Sequence, residues 1–509
     1  MQRWRRPRSR DGRPSTCGCI VAAERQVVPW TAEPVAGARS DVAARSRSPG
    51  SRVALGIDVG LTGTRAALLA EDGTVLSRGA ALRNIGTLPS SSQQRPPTPW
   101  RQEAIDATHE ALAGTAGVAL SAIGIGGLGP STMLVDSEFE VLAGPLLFTD
   151  NSSDETRLSS DAGVVSNDNA LPRLLKLHQQ QPELVESAAF ALDTTGCLVA
   201  WLTGNPVMDV LTAIDYRLAG IEPPVRLPRP SAPDAVAGLL RSASADALGV
   251  VSGTPVAVGT YDSYVDMFAM GISAPGDGAL LLGSSLVAAA LVVEAAGVDD
   301  VGLRMLDWPF ASGSLVGGWT SSAGAAIDWS TRIFGPDGER TSTSTSPGTG
   351  GLLCLPYLAG ERTPAWDSAA SGVIAGVTLE TTRAQLARAV LDGVALSAKD
   401  VLGRIAAVGC SPSRWRVGGG GTRHAAWLQA TADATGEPLE ILDTSGGVAA
   451  AVLGFRSIGV DVRLDPSGTV GPEPEARQRF DRLSAIYDAL YPALAEAMHS
   501  LQEFRMEYP

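Results

Sequence analysis

Residues 53–75 read VALGIDVGLTGTRAALLAEDGTV: an apolar run that closes on Asp58, a turn through Leu61, Thr62, Gly63, Thr64 and Arg65, then a second apolar run. Backbone N–H groups in so tight a turn can converge on an anion, and the hydroxyls add donors. Phosphate is the anion that such a turn suits. A carboxylate beside it could hold Mg²⁺, which takes one or two carboxylates and completes its shell with water and phosphate oxygens. The same residues also fit a plain hairpin whose Asp satisfies its own turn. A second acid, Asp262, stands between the strand-like TPVAVGTY and the helix-like SYVDMFAMG. A carboxylate at such a junction faces a cleft in an open α/β domain. It could take the proton of an alcohol that attacks a phosphoryl group. A helix N-cap is the competing reading, and Asp266, one turn later, is the rival acid. A third stretch, RVGGGGTRHAAWLQATADATG from residue 416 to 436, is a strand, a four-glycine turn and a helix. Consecutive glycines let a flat ring or a phosphate lie against the backbone, and a helix start favours an anion. Neither GxxxxGK[ST] nor a kinase-type glycine loop with a partner lysine occurs.

Alternating strands and helices after residue 50 predict α/β layers. Strands are expected at 53–57, 65–69 and 122–126, and a helix at 102–113. Further helices should contain 173–177 and 200–203. The Pro-rich 221–232 reads as a loop, a new unit begins near Gly253, and ERTSTSTSPGTGG at 339–351 reads as a polar surface loop. The segment ALLLGSSLVAAALVV at 279–293 echoes the opening hairpin without its acid. Two such hairpins, one per half, predict two related domains facing each other across a cleft. Phe480, Leu483, Tyr487, Leu490, Leu494 and Leu501 fall at helical spacing, with a kink expected at Pro492.

Length and charge narrow the function. A chain of 509 residues exceeds one ordinary core. It is 44% hydrophobic and 18% charged, with a net charge of −14, as a soluble globular protein would be. That balance disfavours broad nucleic-acid binding and an anionic membrane surface. No apolar run reaches bilayer length. The five cysteines are scattered and the four histidines do not cluster, which gives no zinc or Ser–His hydrolase site and fits a reduced, cytoplasmic setting. Residues 1–50, rich in Arg, Pro and Ser, read as a disordered tail.

Taken together, the segments resemble the FGGY carbohydrate kinase family over nearly all of residues 51–509. Four pieces carry the resemblance in order: GIDVGLTGTR, GTYDSYVDMFAMG, the stretch from residue 355 to 396, and GGGTRHAAWLQATADATG. In the third, Gly372, Gly376, Gln385, Leu386 and Ala389 through Asp392 match the family's C-terminal signature position by position. The resemblance implies a two-domain, actin-like (ribonuclease H-like) ATPase fold with the active site in the interdomain cleft. Residues 51–252 would form the sugar-binding domain and 253–509 the nucleotide-binding domain with its C-terminal helix. It implies transfer of the ATP γ-phosphate to a hydroxyl of a ketose or polyol, with ATP and Mg²⁺ as cofactors. Asp262 matches the general base and Asp58 the acid that serves Mg²⁺. Thr62, Gly63, Thr64 and Arg65 match the first phosphate turn, Gly283, Ser284 and Ser285 the second, and Gly420 and Gly421 the adenosine site. Pro130, Ser131, Thr132 and Asp150 fall in the sugar segments, with Asp262 also at the sugar. The Glu361–Arg362 pair reads as structural.

The first domain departs from the family pattern more than the second. Leu128 and Pro130 stand where xylulokinase-like members carry Gln and His. Phe148 and Ser152 replace a Trp and an Arg, Lys176 replaces a Trp, and Leu61 replaces a Thr in the first turn. The partners implied are the sugar and ATP or ADP, with a homodimer admitted and neither nucleic acid nor membrane. The alternative is a kinase-like protein that binds sugar or nucleotide and regulates something else; an ATPase with a protein client is the weakest reading.

Overall fold

The structure is a computed structural model. It describes residues 51–83, 100–115, 118–147, 159–160, 163–164, 169–216, 221–335 and 346–508. The tail at 1–50 and the expected sugar contact Asp150, with Phe148 and Ser152, lie outside the described residues.

Two seven-stranded sheets dominate the described residues. The first runs Val236–Leu239, Pro255–Ala257, Leu120–Gly127, Val53–Gly60, Gly63–Ala70, Val75–Leu82, with Thr260–Tyr261 also paired to Leu120–Gly127. The second runs Arg304–Asp307, Ser314–Trp319, Leu286–Val292, Asp277–Leu282, Arg414–Gly418, Leu439–Ile441, Gly468–Val470. The two repeat one topology. Each has an antiparallel hairpin at its centre. A third antiparallel strand extends it on one side. On the other side two parallel strands follow, then an antiparallel edge. The echo at 279–293 is thus one hairpin of a duplicated α/β fold, the two-domain actin-like arrangement. The strands Pro255–Ala257 and Thr260–Tyr261 belong to the first sheet, so a division at residue 253 runs through that sheet.

The central strands read as near-continuous apolar runs because they are covered on both faces; in Val53–Gly60 every residue but Asp58 is buried. One cover comes from far along the chain. The helix Val448–Ser457 lies on the first sheet with backbone against backbone, on a bed of small residues that includes Ala54, Ala67 and Ala122. A Cβ at Gly56 would stand 1.9 Å from Gly447 O, and one at Gly124 would stand 1.8 Å from Ala450 O. Only glycine admits that approach, and it ties the end of the second sheet's chain to the first.

The second sheet is covered by Arg383–Ala407. Its start is a capping box: the Gln385 N–H donates to Thr382 Oγ1, and the Thr382 N–H donates to Gln385 Oε1. Asp392, inside this helix, accepts from Arg388 Nε at 2.7 Å and from the Gly348 N–H at 2.8 Å. Part of the family signature is therefore a buried ion pair that fixes a loop. The final helix, Pro474–Glu507, contains Pro492, the position of the expected kink; Ala476, Phe480, Tyr487 and Met498 are its buried residues. Cys197, Cys354 and Cys410 are free, and no described helix is long and apolar enough to cross a membrane.

Candidate active site

The site is built at one end of the first sheet. Asp58 stands directly opposite Arg65 across the hairpin, and cross-strand partners share a face. The acid and the guanidinium are therefore neighbours, while Thr64 points to the opposite face. On its other side Asp58 pairs with Gly126, and Gly126 in turn pairs with Thr260, two residues before Asp262. Three adjacent strand ends thus bring Asp58 and Asp262 together. A Cβ on Gly126 would lie 3.7 Å from Asp58 Oδ1 and 3.6 Å from Val265 Cγ2. A larger residue there would crowd both the acid and the helix Asp262–Ala269.

Electrostatics single out this corner. Burial pushes the Asp262 carboxyl up to about 7, and the Asp58 charge adds to the rise. The Ser263 N–H, 2.7 Å from Asp262 Oδ1, opposes it. Burial also raises Asp58, against the pull of Arg65. Asp266, the rival acid, is raised well above the carboxylate range by burial, then by Asp58 and Asp262. Three mutually repelling carboxyls, one near a strand end and two in the first turns of the helix Asp262–Ala269, each still partly open to solvent, form a cluster of the kind found at functional sites. Among the described residues no three His, Cys, Asp or Glu side chains are grouped as a metal cage. The donor set fits an ion such as Mg²⁺, which needs only one or two carboxylates when phosphate and water complete its shell.

The first turn is short: Gly60 pairs with Gly63, leaving Leu61 and Thr62 between them. Arg65 Nη2 donates to Thr62 Oγ1 at 3.0 Å, so these two predicted residues do lie together. Thr64 corrects the expectation. Its side chain is fully buried and its hydroxyl donates to Glu103 Oε2 at 2.9 Å. It braces the turn from inside and offers no hydroxyl to a ligand.

The second turn holds three residues, Gly283, Ser284 and Ser285, between paired Leu282 and Leu286. Two of its carbonyls are taken by the start of the helix Gly324–Phe334, and the third, Ser285 O, accepts from the Gly283 N–H at 3.0 Å. The Ala323 and Ala325 N–H groups donate to Ser284 O at 2.9 and 3.1 Å, and the Gly324 N–H donates to Gly283 O at 3.0 Å. Ser284 is exposed. In the glycine turn, Gly419 takes φ 86°, Gly420 is exposed and Gly421 rests on Trp427, where a Cβ would meet the ring at 2.3 Å. Beside it lies a pocket lined by Ile327, Ser330, Thr331 and His424.

The sugar-side expectations fare differently. Ser131 and Thr132 are fully buried. Ser131 Oγ donates to Leu128 O at 2.8 Å and sits 2.7 Å from Thr194 Oγ1, and Thr132 Oγ1 sits 2.8 Å from the Tyr216 hydroxyl. Both hydroxyls are used inside the domain, which corrects their reading as sugar contacts. Pro130 follows a cis peptide and its carbonyl accepts from Arg173 Nη2 at 3.2 Å. Glu361 accepts from the Ser321 and Arg362 N–H groups at 2.7 and 2.8 Å.

Three arginines escaped the sequence reading. Arg83 joins Glu103 beside the first turn. Arg78, on the third strand of the first sheet, donates to Asp443 Oδ2 at 2.6 Å and Ser445 O at 2.5 Å. Arg423, in the glycine turn, donates to Ser445 Oγ at 2.9 Å. Isolated arginines in an arginine-rich chain give no local pattern that marks them.

Comparison with known proteins bears on the fold that carries this site. Residues 305–458 match the model of the FGGY family of carbohydrate kinases, C-terminal domain. A xylulose kinase of Lactococcus lactis subsp. lactis is 23% identical over 89% of this chain and 99% of its own length. The crystal structure of a xyloylose kinase from Brucella ovis superposes with a TM-score of 0.76 at 25% identity, over 88% of this chain and all of that one. A gluconate kinase structure from Lactobacillus acidophilus shares the fold, with a TM-score of 0.76 at 20% identity over 89% and 100% of the two chains. The duplicated actin-like fold and these matches make the chain similar to the carbohydrate kinases of the FGGY family, whose C-terminal domain model residues 305–458 match.

Proposed function

We propose that the chain transfers the γ-phosphoryl group of ATP to a hydroxyl of a ketose or polyol. The observation that carries the reading is the approach of Asp58 and Asp262 from the two sides of the strand Leu120–Gly127, with Asp262 held near 7 by burial and by Asp58. A base with that affinity for a proton suits proton transfer near neutral pH. The Asp262 carboxylate takes the proton of the acceptor hydroxyl as its oxygen bonds to the γ-phosphorus. The bond from that phosphorus to the β–γ bridging oxygen breaks, and ADP leaves. Arg65, Thr62 and the backbone of the two turns orient the phosphates, so catalysis is mainly positioning and charge stabilisation. Asp58 would hold Mg²⁺, whose charge offsets that of the phosphate oxygens. The adenosine end would lie along Gly420 and Gly421. We take the lobe carrying the first sheet as the sugar side and the lobe carrying the second as the nucleotide side.

The relatives carry the names of ketose and aldonate kinases, which sets the acceptor classes to try first. A second reading, a nucleotide-binding regulatory protein, draws support from the inward hydroxyls of Ser131 and Thr132. A coupled ADP-release screen across pentuloses, hexuloses, alditols and aldonates separates them. Turnover on one class supports the kinase; tight ATP binding with no turnover on any acceptor favours the regulator.

A further inference from the structure

One residue captures three successive carbonyls of the first turn. Arg83 Nη1 donates to Gly60 O at 3.2 Å and to Leu61 O at 3.1 Å, and the Arg83 backbone N–H donates to Thr62 O at 2.8 Å. The guanidinium is itself fixed. Its Nε donates to Glu103 Oε1 at 3.0 Å, its Nη2 bonds Glu103 Oε2, and its carbon lies 5.6 Å from the Trp100 ring centroid. The two side chains are 8% and 10% exposed, so the network forms the closed side of the turn. Leu61 and Thr62 are partly open on the other.

A trans peptide is planar, with its C=O and N–H pointing in opposite directions. The Gly60 carbonyl shares its peptide with the Leu61 N–H, and the Leu61 carbonyl shares its peptide with the Thr62 N–H. Holding both carbonyls on the closed side therefore turns both N–H groups toward the open side. We propose that Arg83 is a positioning residue that aims the Leu61 and Thr62 N–H groups at a phosphoryl oxygen of the nucleotide. It supplies by backbone orientation what a hydroxyl at position 61 would otherwise supply. The ion pair with Glu103 leaves the network with little net charge to offer an anion, so the effect is one of geometry. The inference rests on the reading of this turn as a phosphate site.

The test is calorimetric titration of ATP, and of adenosine as control, into wild type, Arg83→Lys, the neutral pair Arg83→Gln/Glu103→Gln, and Arg65→Ala. Lysine keeps the charge but lacks the fork that bridges two carbonyls and a carboxylate. The expected result is an ATP Kd raised roughly tenfold or more in both Arg83 variants, with the adenosine Kd unchanged. Partial unfolding would lower the binding stoichiometry and leave Kd alone, so the readout separates positioning from stability. An unchanged ATP Kd in the Arg83 variants, with binding lost in Arg65→Ala, overturns the role of Arg83 alone. Unchanged binding in all three sinks the phosphate-turn reading itself. Wild-type hydrogen exchange needs no variant to fold: ATP should slow exchange of the amides at residues 61–62, and exchange there unaffected by saturating ATP contradicts the proposal.

Discussion

The two sheets repeat one topology, yet they hold their hairpin turns by different means. In the first, a two-residue turn is gripped by a side chain, Arg83, backed by Glu103. In the second, a three-residue turn is gripped by backbone N–H groups at the start of Gly324–Phe334. Both devices draw the turn carbonyls to one side. Backbone donors are present whatever the sequence; a side-chain donor is one substitution from loss. The acids are also unequally shared: Asp58, Asp262 and Asp266 gather at the first sheet, and the second turn has no acid of its own. The first sheet should therefore carry the chemistry and the second mainly hold the nucleotide.

That division can be broken, and the largest effect is expected at Asp262. Asp262→Asn should lower kcat by about 10²–10⁴-fold, the usual contribution of a general base, with ATP affinity kept. Steady-state kinetics beside a binding titration check it. Next come the turns themselves. Arg65→Ala should weaken ATP binding by roughly tenfold or more, as loss of a charge-assisted contact does. Ser284→Ala should cost about threefold or less, since its carbonyl is held by backbone alone. Equal losses in the two would erase the contrast.

A smaller effect is expected where the second turn is gripped. A Cβ at Gly324 would stand 2.6 Å from Gly283 O, so Gly324→Val must push the helix start off the turn. Overpacking of this kind costs about 1–3 kcal/mol, to be read as a lower denaturant midpoint. A further effect, on pH dependence alone, concerns Glu361, which holds the Ser321 N–H next to that helix. Burial raises this carboxyl from 4.5 to about 8, so the folded chain binds the extra proton between those values. Its contribution is complete below the unfolded value and is lost as pH rises through the folded one. Glu361→Gln mimics the protonated acid and should flatten the stability profile between about pH 5 and 8. An unaltered slope in urea melts across that range would contradict the assignment.

Both hairpins were legible in the sequence because an apolar run, a small-residue turn and a second apolar run leave few alternatives. The strand-to-helix junction alone left Asp262 open between an N-cap and a base, with Asp266 as rival, and only the family resemblance singled it out. Which way neighbouring hydroxyls point was harder to read. Thr64 and Arg65 follow one another on a strand and must face opposite ways, so only one of them could serve the turn. Pairing of Asp58 with Arg65 decides which. Ser131 and Thr132 begin a strand buried along its whole length, where alternation no longer distinguishes inside from outside. Their partners Thr194 and Tyr216 lie 63 and 84 residues away. The Arg83–Glu103 clamp spans 20 residues of sequence and leaves no local pattern. The close approach of Val448–Ser457 to Gly56 and Gly124 is likewise a property of the assembled fold.

Single-turnover transfer from γ-labelled ATP to the accepted sugar, by wild type and by Asp262→Asn, bears most directly on the central claim. Wild type should give a labelled sugar phosphate and ADP in equal amounts, and the variant should bind ATP as well but transfer about 10²–10⁴ times more slowly. Transfer by the variant at the wild-type rate, or label released only as inorganic phosphate by wild type, would contradict it.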